Sequence, residues 1–354
     1  MTTDALPLLA NAERLTEALR RSGVLGAGRV CNVAVMSSFP KLRSHTFRLS
    51  LGYEGPTANA PATLILKSGH LDGAGPPSYA NRREIAFYLD VAPALPERLV
   101  PRCFEAVAAT DTSAWHLLLE DLTESHFIAT EWPLPPTLAQ CDDIVEALAR
   151  IHAAWWDDPR LGVSIGNWRD ITAWDRILQN SQSQFTRFID RFGEMVPADR
   201  RDLYERLFDR APRLLARQHS RRNQTIIHGD AHTWNFFLPR PDGGDGVRLL
   251  DWEDWSLDTA TDDLAYMMAM LWYPDRRRRL ERPLLDRYHT TLLAHGVGGY
   301  DRQALDDDYR LSALWLILRP VGQAMNLIPA RVWWNNFERI MLAIDDLGCR
   351  ELLD

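Results

Sequence analysis

The segment between Asn235 and Asp251 is the tightest local constraint on what this chain can fold into. Phe236-Phe237-Leu238 is a short apolar run suited to a strand, Pro239 to Gly246 is dense in turn residues, and Val247-Arg248-Leu249-Leu250 can return beside the first run. A hairpin of that kind brings its two outer ends side by side. Asn235 enters it and Asp251 leaves it, so an amide oxygen and a carboxylate are expected to converge on one Mg²⁺. That ion takes hard oxygen ligands and is usually held by one or two protein groups plus substrate phosphates.

Just upstream stands His228-Gly229-Asp230-Ala231-His232-Thr233-Trp234-Asn235, and just downstream Asp251-Trp252-Glu253. The string H-G-D-x-H-x-x-N followed by D-W-E resembles the signature of the aminoglycoside phosphotransferase and choline kinase superfamily, which shares its fold with protein kinases. The offset from Asp230 to Asn235 is that of the kinase loop H-R-D-x-x-x-x-N. The resemblance implies an α+β, protein-kinase-like bilobal fold with a small β-rich N-lobe and a larger, mostly helical C-lobe. It implies transfer of the γ-phosphoryl group of ATP (or GTP), with Mg²⁺, to a hydroxyl of a small molecule. Candidate acceptors are an aminoglycoside, an amino sugar, a choline-like amino alcohol or another alcohol.

The order of elements agrees. Ala12 to Arg21 has helical spacing, with Leu15 and Leu19 one turn apart and Gly23 as a stop signal. Val30 to Ser37, Thr46 to Leu51 and Thr63 to Lys67 read as strands, Asn81 to Asp90 as a helix with Glu84, Phe87 and Tyr88 on one side, and Trp115 to Leu119 as a further strand. Beyond residue 122 long helical patterns dominate, over Asp142–Trp156, Thr172–Arg191 and Asp199–Gln218, with more helix from Asp262 onward. The expected division is therefore an N-lobe at 1–121 and a C-lobe at 122–354, with the hinge at Glu120-Asp121-Leu122, where Glu120 and Leu122 would meet the nucleotide.

Each candidate carries a role and a bland alternative. Asp230 is expected to orient the acceptor hydroxyl. A free alkoxide is out of reach of a carboxylate, because an ordinary aspartate titrates near ~3.9 and an alcohol near water's ~15.7. A loose transition state asks only for positioning and late proton capture. Asn235 and Asp251 are the metal ligands, against the alternative of side chains satisfying turn amides. Lys67, at a strand end, would contact the α- and β-phosphates and pair with Glu84, although a strand-end lysine is commonly just solvated. His228 is expected to hold the catalytic loop, while the role of His232 stays open. Asp263 would brace the loop from behind, with a helix cap as the alternative. No G-x-G-x-x-G precedes these residues. Ser37 and Ser38, in the stretch Ser37 to Ser44 between the first two strands, stand in as the phosphate-covering loop. Glu253, Asp254 and Trp255 could contact the acceptor.

Composition narrows the partners. The net charge of −8 disfavours nucleic acid and weakly favours a cationic substrate through steering. Cys31, Cys103, Cys141 and Cys349 form no C-x-x-C pair and suit a reducing cytoplasm. No apolar run is long enough for a membrane span, since Arg319, Pro320 and Gln323 interrupt the longest stretch, Leu311 to Ile328, and the start Met1-Thr2-Thr3-Asp4 does not read as a signal peptide. Arg276 to Arg279 reads as a solvated helix face, and the tryptophans of the helical part read as core more than as substrate contacts. Oligomeric state is left open. Twelve residues from Asp251 to Asp263 leave no activation segment and no A-P-E, which points to a small acceptor rather than a peptide. Two rivals remain. A pseudokinase or nucleotide sensor would bind without transfer. A dinuclear metallophosphoesterase shares D-x-H with Asp230-Ala231-His232 but needs G-D-x-x-D and G-N-H motifs that do not occur.

Overall fold

The computed structural model describes residues 8–40, 44–57, 59–69, 79–96, 98–109 and 115–354. In chain order the elements are α1 (Ala12–Arg21), β1 (Arg29–Pro40), β2 (His45–Glu54), β3 (Thr63–Ser68), α2 (Tyr79–Ala86), β4 (Cys103–Val107), β5 (His116–Glu120), β6 (His126–Ile128), α3 (Leu138–Ala154), α4 (Ile171–Phe192), α5 (Ala198–Leu214), α6 (Ala216–His219), β7 (Thr225–Ile227), β8 (Phe236–Pro239), β9 (Arg248–Leu249), β10 (Ser256–Asp258), α7 (Thr261–Ala265), α8 (Pro274–Ala294), α9 (Arg302–Trp315), α10 (Leu318–Met325) and α11 (Ala330–Asp346). Packing gathers them into two compact units, Met1–Ile128 with Phe236–Asp254, and Ala129–Asn235 with Trp255–Asp354. The β8–β9 hairpin thus clusters with the first unit, although it lies late in the sequence.

The first unit is built on an antiparallel sheet in the order β1-β2-β3-β5-β4. Alternation places Phe47, Leu49 and Leu51 of β2 and Leu64 and Leu66 of β3 inward, and α1 covers them with Leu15, Ala18 and Leu19. Asn11 caps α1 by accepting the Arg14 N–H, Glu13 sits in its first turn and Arg20 and Arg21 in its last, so both ends complement the helix dipole. The hairpin forms as read, with Phe236 opposite Leu249, and β6 adds a third strand through Phe127 opposite Leu238.

The second unit is mostly helical. Thr137 and Gln140 form a capping box that starts α3, whose buried face packs on α8. Two short strands, β7 and β10, pair antiparallel with Ile227 opposite Ser256. Among the described residues no helix is long and apolar enough to cross a membrane.

Two local expectations change, and an alternative reading of Asp263 is removed. β1 runs on to Pro40, so Ser37 and Ser38 are strand residues opposite Arg48 and Phe47, and of the stretch read as a loop, Lys41 to Arg43 lie outside the described residues. Strand propensity in Arg29–Pro40 outweighed the serines as a turn signal. The arginine run is not uniformly solvated. Arg277 is buried between Glu281 and Asp346, and Arg276 lies over the Trp272 ring. Asp263 lies inside α7 and does not cap it.

Candidate active site

In the first unit, Lys67 is the second-last residue of β3, on the face opposite Leu64 and Leu66, and it is buried. Its Nζ donates to Glu84 Oε1 at 2.9 Å and to Asp251 Oδ1 at 2.7 Å. Burial works to lower the lysine's pKa, but Glu84 and then Asp251 outweigh it and hold the ammonium charged. Both partners are brought in by one packing contact. After α2 the chain widens into a π turn over Phe87–Val91, and the Phe87 ring stacks on Trp252 at 3.8 Å, the residue after Asp251. Trp252 Nε1 donates to the Leu249 carbonyl, and Arg83 donates to the Asp254 carbonyl, so the turn after β9 is tied both to the hairpin and to α2. Asp251 itself sits in the left-handed backbone region at φ 66°. Aspartate tolerates that region better than most residues, and such outliers cluster at functional sites.

In the second unit, β7 feeds directly into His228-Gly229-Asp230. Gly229 adopts φ 79°, which an L side chain resists, and so turns the chain sharply at the strand end. The buried Asp263 carboxylate accepts the N–H of His228 at 2.7 Å and of Gly229 at 2.8 Å. His152 Nε2 lies 3.2 Å from the same carboxylate, and its Nδ1 lies 2.7 Å from the Tyr288 hydroxyl. Burial favours a neutral Asp263, but the His152 hydrogen bond and charge, with help from His228, hold it below the usual range. His228 is buried, and its Nδ1 accepts the Asp230 N–H at 3.2 Å. Asn235 Nδ2 donates to the Asp230 carbonyl at 3.0 Å, which fixes the amide to the main chain of the loop.

Glu120, at the end of β5, accepts the Arg102 N–H through Oε2, and Leu122 is buried. Ser37 and Ser38 stand on β1, two strands from Lys67. Glu253 is half-buried and its pKa is raised by burial and by Asp251. Asp254 is exposed, and Trp255 is buried against Gly166. His232 Nε2 lies 3.5 Å from Asp230 Oδ2.

Three neighbours of this loop were not singled out from sequence. Arg319 pairs with Asp230 at 3.0 Å, the Tyr266 ring lies against the Arg319 guanidinium, and His152 supports Asp263. Arg319 and His152 do leave a signal, because each is a polar residue in an apolar helical stretch, where an unpaired charge would be costly. Tyr266 leaves none, since a buried tyrosine on a helix is ordinary core.

A family model described as the phosphotransferase enzyme family matches residues 56–304, more than half of the chain. No curated protein matches. Among solved structures, a Ralstonia eutropha JMP134 protein assigned as an aminoglycoside phosphotransferase is similar with a TM-score of 0.60 and 16% identity, over 96% of this chain and 98% of that one. Choline kinase from Cryptosporidium parvum Iowa II gives 0.52 and 11%, over 96% of each chain. The gentamicin complex of APH(2")-IIa gives 0.51 and 13%, over 95% of this chain and 94% of that one. At these identities the likeness establishes the kinase-like fold.

Proposed function

Because the chain belongs to the phosphotransferase enzyme family and is a small-molecule kinase, we propose that it moves the γ-phosphoryl group of ATP to a hydroxyl of a small alcohol or amino alcohol. The observation that carries this reading is the Lys67 ammonium between Glu84 and Asp251, residues 17 and 184 positions away. A strand lysine paired with a helix glutamate, next to the metal-binding aspartate, is the arrangement a kinase needs before it can hold the phosphates. In this reading Lys67 contacts the α- and β-phosphates, Glu84 fixes it, and Asn235 and Asp251 bind Mg²⁺. The register of Phe236 opposite Leu249 supports that last pair, since it aligns the two ends of the hairpin. The ion supplies charge neutralisation at the β- and γ-phosphates. Asp230 orients the acceptor hydroxyl and takes its proton late in the transfer. His228 and Asp263 hold the loop that carries it. The short interval from Asp251 to Asp263 favours a small acceptor over a peptide. Neighbours of this fold include a gentamicin complex and a choline kinase, which sets the first compounds to try.

The test is coupled ADP release from Mg²⁺-ATP across a panel of aminoglycosides, choline, ethanolamine and neutral alcohols. Acceptor-dependent ADP release, abolished by EDTA and restored by Mg²⁺, is expected. Phosphate-ester hydrolysis instead, or ATP binding with no transfer to any alcohol, would overturn the reading.

A further inference from the structure

Arg319, in the first turn of α10, is a lone charge in a long apolar stretch, and it spans from that helix to the catalytic loop. Its Nη1 donates to the Gly229 carbonyl at 3.0 Å, and its Nη2 donates to Asp230 Oδ1 at 3.0 Å. The guanidinium carbon lies 4.4 Å from the centre of the Tyr266 ring. One planar fork therefore grips a main-chain oxygen and the side-chain oxygen of the very next residue, and an aromatic face fixes its plane. That geometry sets the orientation of the Asp230 carboxylate relative to its own backbone, which a lysine's single point charge cannot do.

We propose that Arg319 is a positioning residue that occupies Asp230 Oδ1, so that the acceptor hydroxyl meets Oδ2, the oxygen on the His232 side. The inference rests on the role assigned to Asp230 above. In the step so arranged, the acceptor oxygen attacks the γ-phosphorus. The bond from that phosphorus to the β–γ bridging oxygen breaks, its electron pair leaves on ADP, and the hydroxyl proton passes to Asp230 Oδ2. With the second oxygen committed to Arg319, the carboxylate offers one direction for the hydroxyl, and the attack line is fixed by the chain before the acceptor arrives.

The purified full chain tests this through ADP release from Mg²⁺-ATP, measured with water alone as acceptor and with choline, kanamycin and 1-aminopropan-2-ol. Arg319→Ala is expected to lower kcat on the order of 10²-fold, the scale on which a small misplacement of a reacting group acts, while the KM for ATP stays within about twofold. Added methylguanidine should restore part of the lost rate, and Arg319→Lys should restore less than the guanidine does. Should the alanine variant not fold, Arg319→Gln keeps the stem beside Tyr266 and carries the same comparison. Unchanged kcat, full activity in Arg319→Lys, or no response to methylguanidine overturns the inference. Asp230→Asn separates it from the reading beneath it. If that variant turns over normally, the role of Asp230 falls. If that variant is inactive while Arg319→Ala behaves as wild type, only the role of Arg319 falls.

Discussion

In the first unit, a buried ammonium on β3 is held by two carboxylates that arrive from a helix and from the end of a hairpin. In the second, a buried carboxylate inside α7 reaches back to the main chain of the loop it supports. The two arrangements fail differently. Side-chain pairing in a dry site leaves an uncompensated charge when one partner is removed. Main-chain capture depends on a single acceptor, and the residues it holds keep their place whatever side chains they carry, provided Gly229 can still turn. The first unit therefore ties its stability to the same charges that would bind nucleotide. The second separates the group that holds the loop, Asp263, from the group that would do chemistry, Asp230.

That separation has its largest expected consequence at Asp230. Asp230→Asn should cut kcat by about 10²–10⁴, the usual worth of a positioned base, and leave both the melting temperature and the ATP affinity close to wild type. A large loss of stability in this variant would mean the loop's support and its chemistry are not separate after all. Next comes Lys67→Met. Removing the cation from between Glu84 and Asp251 should cost about 3–5 kcal/mol in urea unfolding and weaken nucleotide binding together. Adding Glu84→Gln should then recover part of the stability and none of the binding. Independent, additive effects in that double mutant would show that the trio is not a unit.

A smaller effect is expected at Asp263. Asp263→Asn loses the carboxylate that accepts two N–H groups and should cost about 1–3 kcal/mol near neutral pH. Because the folded-state pKa of Asp263 is depressed, its contribution is fully present above the ordinary aspartate value of ~3.9 and is lost as pH falls through the lower folded value. Unfolding free energies of wild type and Asp263→Asn should therefore begin to converge below about pH 4 and meet only below the depressed folded value. A constant gap down to pH 2 would place the effect in packing instead of charge.

Much of this was legible in the chain. The hairpin could be read because its strands are short and apolar and its turn is dense in proline and glycine, signals that act within a few residues. α1 could be read to the residue because its periodicity and its stop signal agree. The short strands β4, β6, β7 and β10 were not read, since three to five residues carry too little periodicity to separate from loop and their pairing is decided by distant partners. The same holds within the site. Asp230, Asn235 and Asp251 are spaced by local structure and stand out, whereas the contact of Arg319 with Asp230 joins residues 89 positions apart. Ser37 and Ser38 show the opposite error, in which residue type suggested a loop and a strand's propensity prevailed.

The left-handed backbone at Asp251 decides how this position can be probed. Alanine there would remove a carboxylate and also force a side chain poorly suited to positive φ, so its effect would mix lost electrostatics with added conformational penalty. Glycine would relax the turn while deleting the ligand, and could make a crippled protein look sturdier than its parent. Asparagine shares aspartate's tolerance of that geometry, which makes it the replacement whose phenotype reports on charge alone.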